Sequence, residues 1–209
     1  MLQFNEQNFH SLCDHLAAID PHLQQILSEH GYPPMWTRPN TFETLVLTIL
    51  EQQVSLASAY AAYKKLKEKL PKITPGEVLK LSDDELRSCY FSRQKIVYAR
   101  ELAGALLSRK ISLKRLAKEE DEVVRRELKA LKGIGDWTVE IYLLHALQRT
   151  DVFPLGDLAL VNALRMITGE KLSKEQMTEM AAPWKPYRSV ATMLLWHFYI
   201  RKKNIKILH

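Results

Sequence analysis

Wherever apolar residues recur regularly in this chain they do so at helical spacing, and no stretch alternates long enough to read as a strand. That period, punctuated by proline and glycine, confines the chain to an all-α fold. Residues 5–18 and 22–30 read as helices broken at Asp20-Pro21, and Gly31 to Pro39, with three prolines, reads as a loop. Asn40 and Glu43 have capping-box spacing ahead of Leu45, Val46, Ile49 and Leu50. The pattern breaks from Glu51 to Ser55, where Ser55 caps a helix expected to turn Leu56, Tyr60, Tyr63 and Leu66 inward. Pro71 and Pro75 mark a connection and a short helix, Ser82 with Glu85 forms another capping box, and Ser92 opens a helix carrying Ile96, Val97, Ala99 and Leu102. Val124, Leu128 and Leu131 share one face, and Trp137 to Leu147 is apolar nearly all round. A helix begun near Asp157 stops at Gly169, Ser173 with Gln176 opens the next, and a last apolar helix runs through Phe198. About ten helices are expected in all.

A chain of 209 residues makes one large domain or two small lobes and buries about 70% of its unfolded surface. An excess of six basic over acidic residues and a pI near 9.2 lean mildly toward polyanionic partners. Cys13 and Cys89 lack metal-type spacing, which argues against zinc or an iron–sulfur cluster. The first residues show no secretory pattern, and no apolar run has the length of a membrane span. The expectation is a cytoplasmic protein without a targeting signal, nucleoid-associated if bacterial, and with no membrane partner. The lysine runs around Lys64–Lys69 and Arg201–Lys203 read as solvated faces.

The chemistry is concentrated between Leu128 and Leu160. A helical pattern ends near Lys132, Gly133-Ile134-Gly135 makes a tight turn, and a new helix starts around Trp137. Glycine admits positive φ and close approach of another backbone. A helix N-terminus exposes unpaired N–H groups and positive dipole, which suit a phosphate oxygen, and Lys129 and Lys132 add charge. A bare GxG is equally served by an ordinary corner with glycine as C-cap. Asp157, at the mouth of the next helix, is likewise either an N-cap or an anion placed to meet a cation.

The longer strings narrow these choices. LKGIGDWT, residues 131–138, resembles the hairpin of the helix-hairpin-helix (HhH-GPD) DNA glycosylase superfamily, and FPLGDLAL, residues 153–160, its segment with the catalytic aspartate. ILEQQVSLASA, residues 49–59, and WKPYRSVATMLLW, residues 184–196, are similar to the minor-groove loop and C-terminal signature of the 3-methyladenine DNA glycosylase II branch. The resemblance implies a two-lobed helical bundle with the active-site cleft between the lobes. One lobe is expected over about 1–38 plus 150–209 and the other over about 39–149, including the hairpin 124–147. Only some forty residues precede the matched region, so the chain is similar to compact members without the N-terminal α/β domain.

On this resemblance Asp157 is the catalytic carboxylate, twenty positions after Trp137. Trp137, Trp196, Ile141 and Leu158 would line the base pocket. Gln52, Gln53, Gly133, Ile134, Gly135, Lys132 and Thr138 would face DNA, with Gln53 the inserted wedge and Gln52 touching groove edges or backbone. The backbone carbonyls of Lys129, Leu131 and Ile134 would hold a structural monovalent cation, sodium or potassium, and no cofactor is required. Trp137 stands where strand-nicking members carry a Schiff-base lysine, so the implied enzyme is monofunctional. It would be a monomer acting on double-stranded DNA with damaged bases, releasing 3-methyladenine and 7-methylguanine and leaving an abasic site. Leu158 and Ile141 depart from the aromatic positions of the branch. That keeps open a same-fold enzyme for another lesion, such as a deaminated base. A non-catalytic helix-hairpin-helix DNA-binding module is the remaining alternative.

Overall fold

The computed structural model describes residues 1–206. Among them are thirteen α-helices and one 3₁₀ turn, and extended pairing is limited to an isolated bridge between Gln3 and Arg149. The all-α expectation holds. The chain divides into two compact units, one of Met1–Thr37 with Leu143–Lys206 and one of Arg38–Tyr142. No helix of the described residues is long and apolar enough to cross a membrane.

The first unit holds α1 (Phe9–Ile19), α2 (Pro21–His30), α11 (Leu158–Thr168), α12 (Lys174–Met180), the 3₁₀ turn (Ala182–Trp184) and α13 (Arg188–Lys202). Asp20 begins α2 by accepting the N–H groups of His22 and Leu23, with Pro21 in the first-turn position that needs no N–H donor. Its other oxygen accepts the indole N–H of Trp184 at 2.8 Å. A fully buried tryptophan thereby keeps its polar edge satisfied. α13 packs on α1, α2 and α11 and is buried continuously from Ser189 to Phe198. Gly169 ends α11 in the left-handed region (φ 76°), and Ser173 with Gln176 forms a complete capping box.

The second unit holds α3 (Phe42–Glu51), α4 (Leu56–Lys69), α5 (Pro75–Lys80), α6 (Asp83–Ser88), α7 (Arg93–Leu107), α8 (Leu113–Leu116), α9 (Asp121–Lys129) and the start of α10 (Asp136–His145). Every residue of α3 except the half-buried Glu43 is buried, and α3 packs on α4 and α7. The hydroxyl of Thr44 donates to Pro39 O and that of Thr48 to Thr44 O, so both threonines are satisfied. Ser82 and Glu85 complete the expected box at α6, while Ser55 and Ser92 cap α4 and α7.

Some local expectations are corrected. Thr41, not Asn40, caps α3. The Asn40 side chain instead donates to Leu113 O and accepts the hydroxyl of Tyr142, joining segments far apart in the chain. On α4 the inward face is Ala59, Ala62 and Leu66; Leu56 is exposed and Tyr60 and Tyr63 are half-buried. Two alanines and Leu66 take that face, and Leu56, Tyr60 and Tyr63 lie outside it. Val97 is also exposed. α9 ends at Lys129 rather than Lys132, and α8 had no periodic signal because it is a single turn. The basic run Arg201–Lys203 is exposed as expected, and residues 207–209 lie outside the described residues.

Candidate catalytic carboxylate and hairpin

In the first unit the segment before α11 is pinned to the C-terminal signature. Arg188 makes a two-pronged ion pair with Asp151 (2.6 and 2.9 Å), Ser189 Oγ receives the N–H of Val152, and Ser189 N–H donates to Thr150 O. Phe153 meets the fully buried Trp184 edge-on. Pro154 O then accepts the N–H of Asp157 at 2.8 Å. The chain reaches Asp157 already fixed in direction. Asp157 Oδ1 accepts two bonds, from Leu160 N–H at 2.9 Å and from Trp196 Nε1–H at 2.8 Å. The first is an N-cap bond on an eleven-residue helix, so the carboxylate also meets the positive end of the α11 dipole. N-cap and anion site are therefore compatible: one oxygen serves the helix and the tryptophan together.

Trp196 is 7% exposed. One face of its indole is stacked by His145 (centroids 5.4 Å apart, planes at 16°), and His145 Nδ1 is 2.6 Å from Trp36 O. Trp196 is thus directed at the carboxylate through its N–H. His145 was missed, although a histidine inside the apolar run of α10 was a visible signal. Leu158, next to Asp157, is 73% exposed.

In the second unit Gly133 has φ 86°, and a Cβ there would lie 2.0–2.3 Å from the ring of Tyr98. Both the left-handed backbone and the ring demand glycine. Gly135 lies outside that backbone region, is exposed, and has open space around it, which leaves room for a phosphate. Lys132 is exposed, and Ile134 is buried beneath the turn. Lys129 pairs with Asp136 across the hairpin. Arg125 of α9 lies 3.6 Å from Glu140 of α10, and burial pushes the Glu140 carboxyl up to about 7 against the pull of that guanidinium. Trp137 is half-buried in the first turn of α10, while Ile141 and Thr138 are buried.

The Gln52 side chain does not point outward. Its Nε2 donates to Gly133 O and to Thr138 Oγ1, each at 2.9 Å. Thr138, assigned to DNA by the resemblance, is 2% exposed and spends its hydroxyl on Gln52. Gln53 is exposed, and its φ of 56° is uncommon for a residue with a side chain.

A helical fold, a glycine hairpin and a carboxylate capping a helix define a class, and comparison with known proteins agrees. Residues 46–187 match the HhH-GPD superfamily of base excision DNA repair proteins, and the chain belongs to that superfamily. DNA-3-methyladenine glycosylase 1 of Schizosaccharomyces pombe is 29% identical over 197 residues, covering 87% of this chain and 84% of that protein. The solved structure of the 3-methyladenine DNA glycosylase of the same yeast in complex with abasic DNA superposes with a TM-score of 0.83 at 26% identity. It covers 89% of this chain and 95% of that one. A DNA-3-methyladenine glycosidase structure from Bacillus halodurans gives a TM-score of 0.76 at 29% identity, over 99% and 96% of the two chains.

Proposed function

We propose that this chain is a base excision repair glycosylase that hydrolyses the N-glycosidic bond of alkylated purines, 3-methyladenine and 7-methylguanine, leaving an abasic site. The observation that carries this reading is Asp157, a carboxylate at a helix N-terminus, directed by the Leu160 N–H and the Trp196 indole. Breaking the bond between base and sugar builds oxocarbenium character on the sugar. A fixed anion stabilises that charge without reorganising at the moment of reaction. The same carboxylate would orient the attacking water. A purine alkylated at N3 or N7 is cationic and leaves readily, so one carboxylate suffices without a strong general acid. Trp137 offers an indole, which attracts such a cation by about 1–2 kcal/mol when desolvated. In the place of a Schiff-base lysine it makes the enzyme hydrolytic, without strand nicking.

The partner is double-stranded DNA carrying damaged bases, met by one copy of the chain, in the cytoplasm or at the nucleoid. Phosphate would sit against Gly133–Gly135, with Lys132 beside it. The carbonyls of Lys129, Leu131 and Ile134 are neutral, hard donors of the kind that suit sodium or potassium. Leu131 O takes the Ile134 N–H at 3.2 Å and, having two acceptor lobes, keeps capacity for a cation. Such an ion would link the hairpin backbone to phosphate. The exposed aliphatic Leu158 beside Asp157 favours one second reading, a same-fold enzyme acting on another lesion such as a deaminated base.

The test is to incubate the protein with methylated DNA and identify released bases by chromatography. Release of 3-methyladenine or 7-methylguanine is expected, with Asp157→Asn slower by about a hundredfold or more. Asparagine also caps helices, so this variant keeps its fold and DNA affinity. Release of another base alone supports the second reading, and undiminished release by Asp157→Asn removes Asp157 from the mechanism.

A further inference from the structure

Three consecutive residues at the end of α3 are each held by a different segment of the second unit. Leu50 O accepts from Lys95 Nζ on α7 at 2.7 Å. The buried Glu51 receives both terminal nitrogens of Arg38, at 2.8 and 2.6 Å, a rigid two-pronged geometry. Gln52 donates both protons of its amide to the hairpin, one to Gly133 O in the turn and one to Thr138 Oγ1 in α10. The next residue, Gln53, is exposed and left-handed at φ 56°. A residue with a side chain keeps that backbone only where its surroundings over-determine it, and the three anchored residues before it do so.

The two acceptors of Gln52 lie more than eighty positions away in sequence. One belongs to the turn that would grip phosphate and the other to the first turn of the helix that follows it. A wedge must enter the duplex at a set offset from the phosphate that fixes the protein's register, and a small error in that offset costs much of the gain. We propose that Gln52 is a positioning residue, a rigid link that sets Gln53 at a fixed offset from the Gly133–Gly135 turn. Gln52 then acts through Gln53 and does not itself read DNA. This rests on the glycosylase reading above.

The experiment compares affinity for a duplex bearing a tetrahydrofuran abasic analogue with affinity for the same duplex intact. It uses wild type, Gln52→Met, Thr138→Val, the double variant and Thr138→Ser, with 2-aminopurine beside the abasic position reporting local unstacking. Methionine keeps length and volume but donates nothing, and serine keeps the acceptor hydroxyl. Gln52→Met is expected to lower the abasic-to-intact ratio about tenfold and to weaken the 2-aminopurine signal, while Thr138→Ser retains both. The double variant should lose less than the sum of the single losses, because both substitutions break one link. An unchanged ratio in Gln52→Met overturns the inference. So does an equal fall in both affinities, which marks a brace for the fold alone. A wild-type protein with no preference for the abasic duplex overturns the glycosylase reading as well, so the two failures are told apart.

Discussion

Oδ1 of Asp157 accepts from the α11 backbone and from a tryptophan 39 positions further along the chain. At the scale of single residues, that pairing separates two kinds of contribution from Trp196: apolar surface and a single N–H. Trp196→Phe removes the donor and keeps the ring that stacks on His145. A hydrogen bond to a charged group contributes about 1.5–3 kcal/mol, so kcat for base release should fall by about tenfold or more while KM changes little. Steady-state kinetics on an alkylated duplex measures this. A change in KM alone would instead mark Trp196 as part of the wall of the base pocket. Gln52 likewise spends both amide protons inside its own unit, on Gly133 and Thr138.

At the scale of elements, the hairpin between α9 and α10 depends on unequal glycines. Gly133 carries φ 86° over the Tyr98 ring, whereas Gly135 faces open space. Gly133→Ala meets both a left-handed backbone and a ring that must move, for a loss of about 3 kcal/mol or more. Gly135→Ala should cost less than about 1 kcal/mol. Urea midpoints of the two variants check the contrast, and Tyr98→Ala in the Gly133→Ala background should recover the part due to the ring. Equal midpoints would mean that the turn relaxes around either alanine. The asymmetry has a functional side: the constrained glycine shapes the turn, and the open one leaves a face free of side chain.

At the scale of the whole molecule, one half-buried carboxyl couples the hairpin to global stability. Glu140 is raised from 4.5 to about 7 chiefly by burial, opposed by Arg125, with Asp136 and Lys129 also in its field. Between those two values the folded chain holds a proton that the unfolded chain has released, so stability falls as pH rises through that window. The loss is complete above about 7. Glu140→Gln removes the titration and keeps an amide for Arg125, so its Tm relative to wild type should be higher at pH 8 than at pH 5. Equal differences at the two pH values would show that Glu140 ionises freely in the fold. Net charge, at +6, sets only a mild general attraction to polyanions.

By itself the sequence determined the helical class, most helix starts and the order of the segments that carry chemistry. Those are local properties. Capping at Ser55, Ser82, Ser92 and Ser173 acts within three residues, and helical periodicity is read within a few turns. The glycine turn and an aspartate at a helix start were legible as local patterns too, while the roles expected of them came from the family resemblance. Pairings across long separations were not. Asn40 has the spacing of a cap, yet its side chain is taken by Leu113 and Tyr142, and Thr41 caps α3 instead. The outward-looking Gln52 turns to Gly133 and Thr138, and Trp196 turns its N–H to Asp157. A buried donor must find an acceptor, and which acceptor is nearest depends on how the helices pack. Periodicity says that a residue is buried; only the tertiary structure decides what satisfies it.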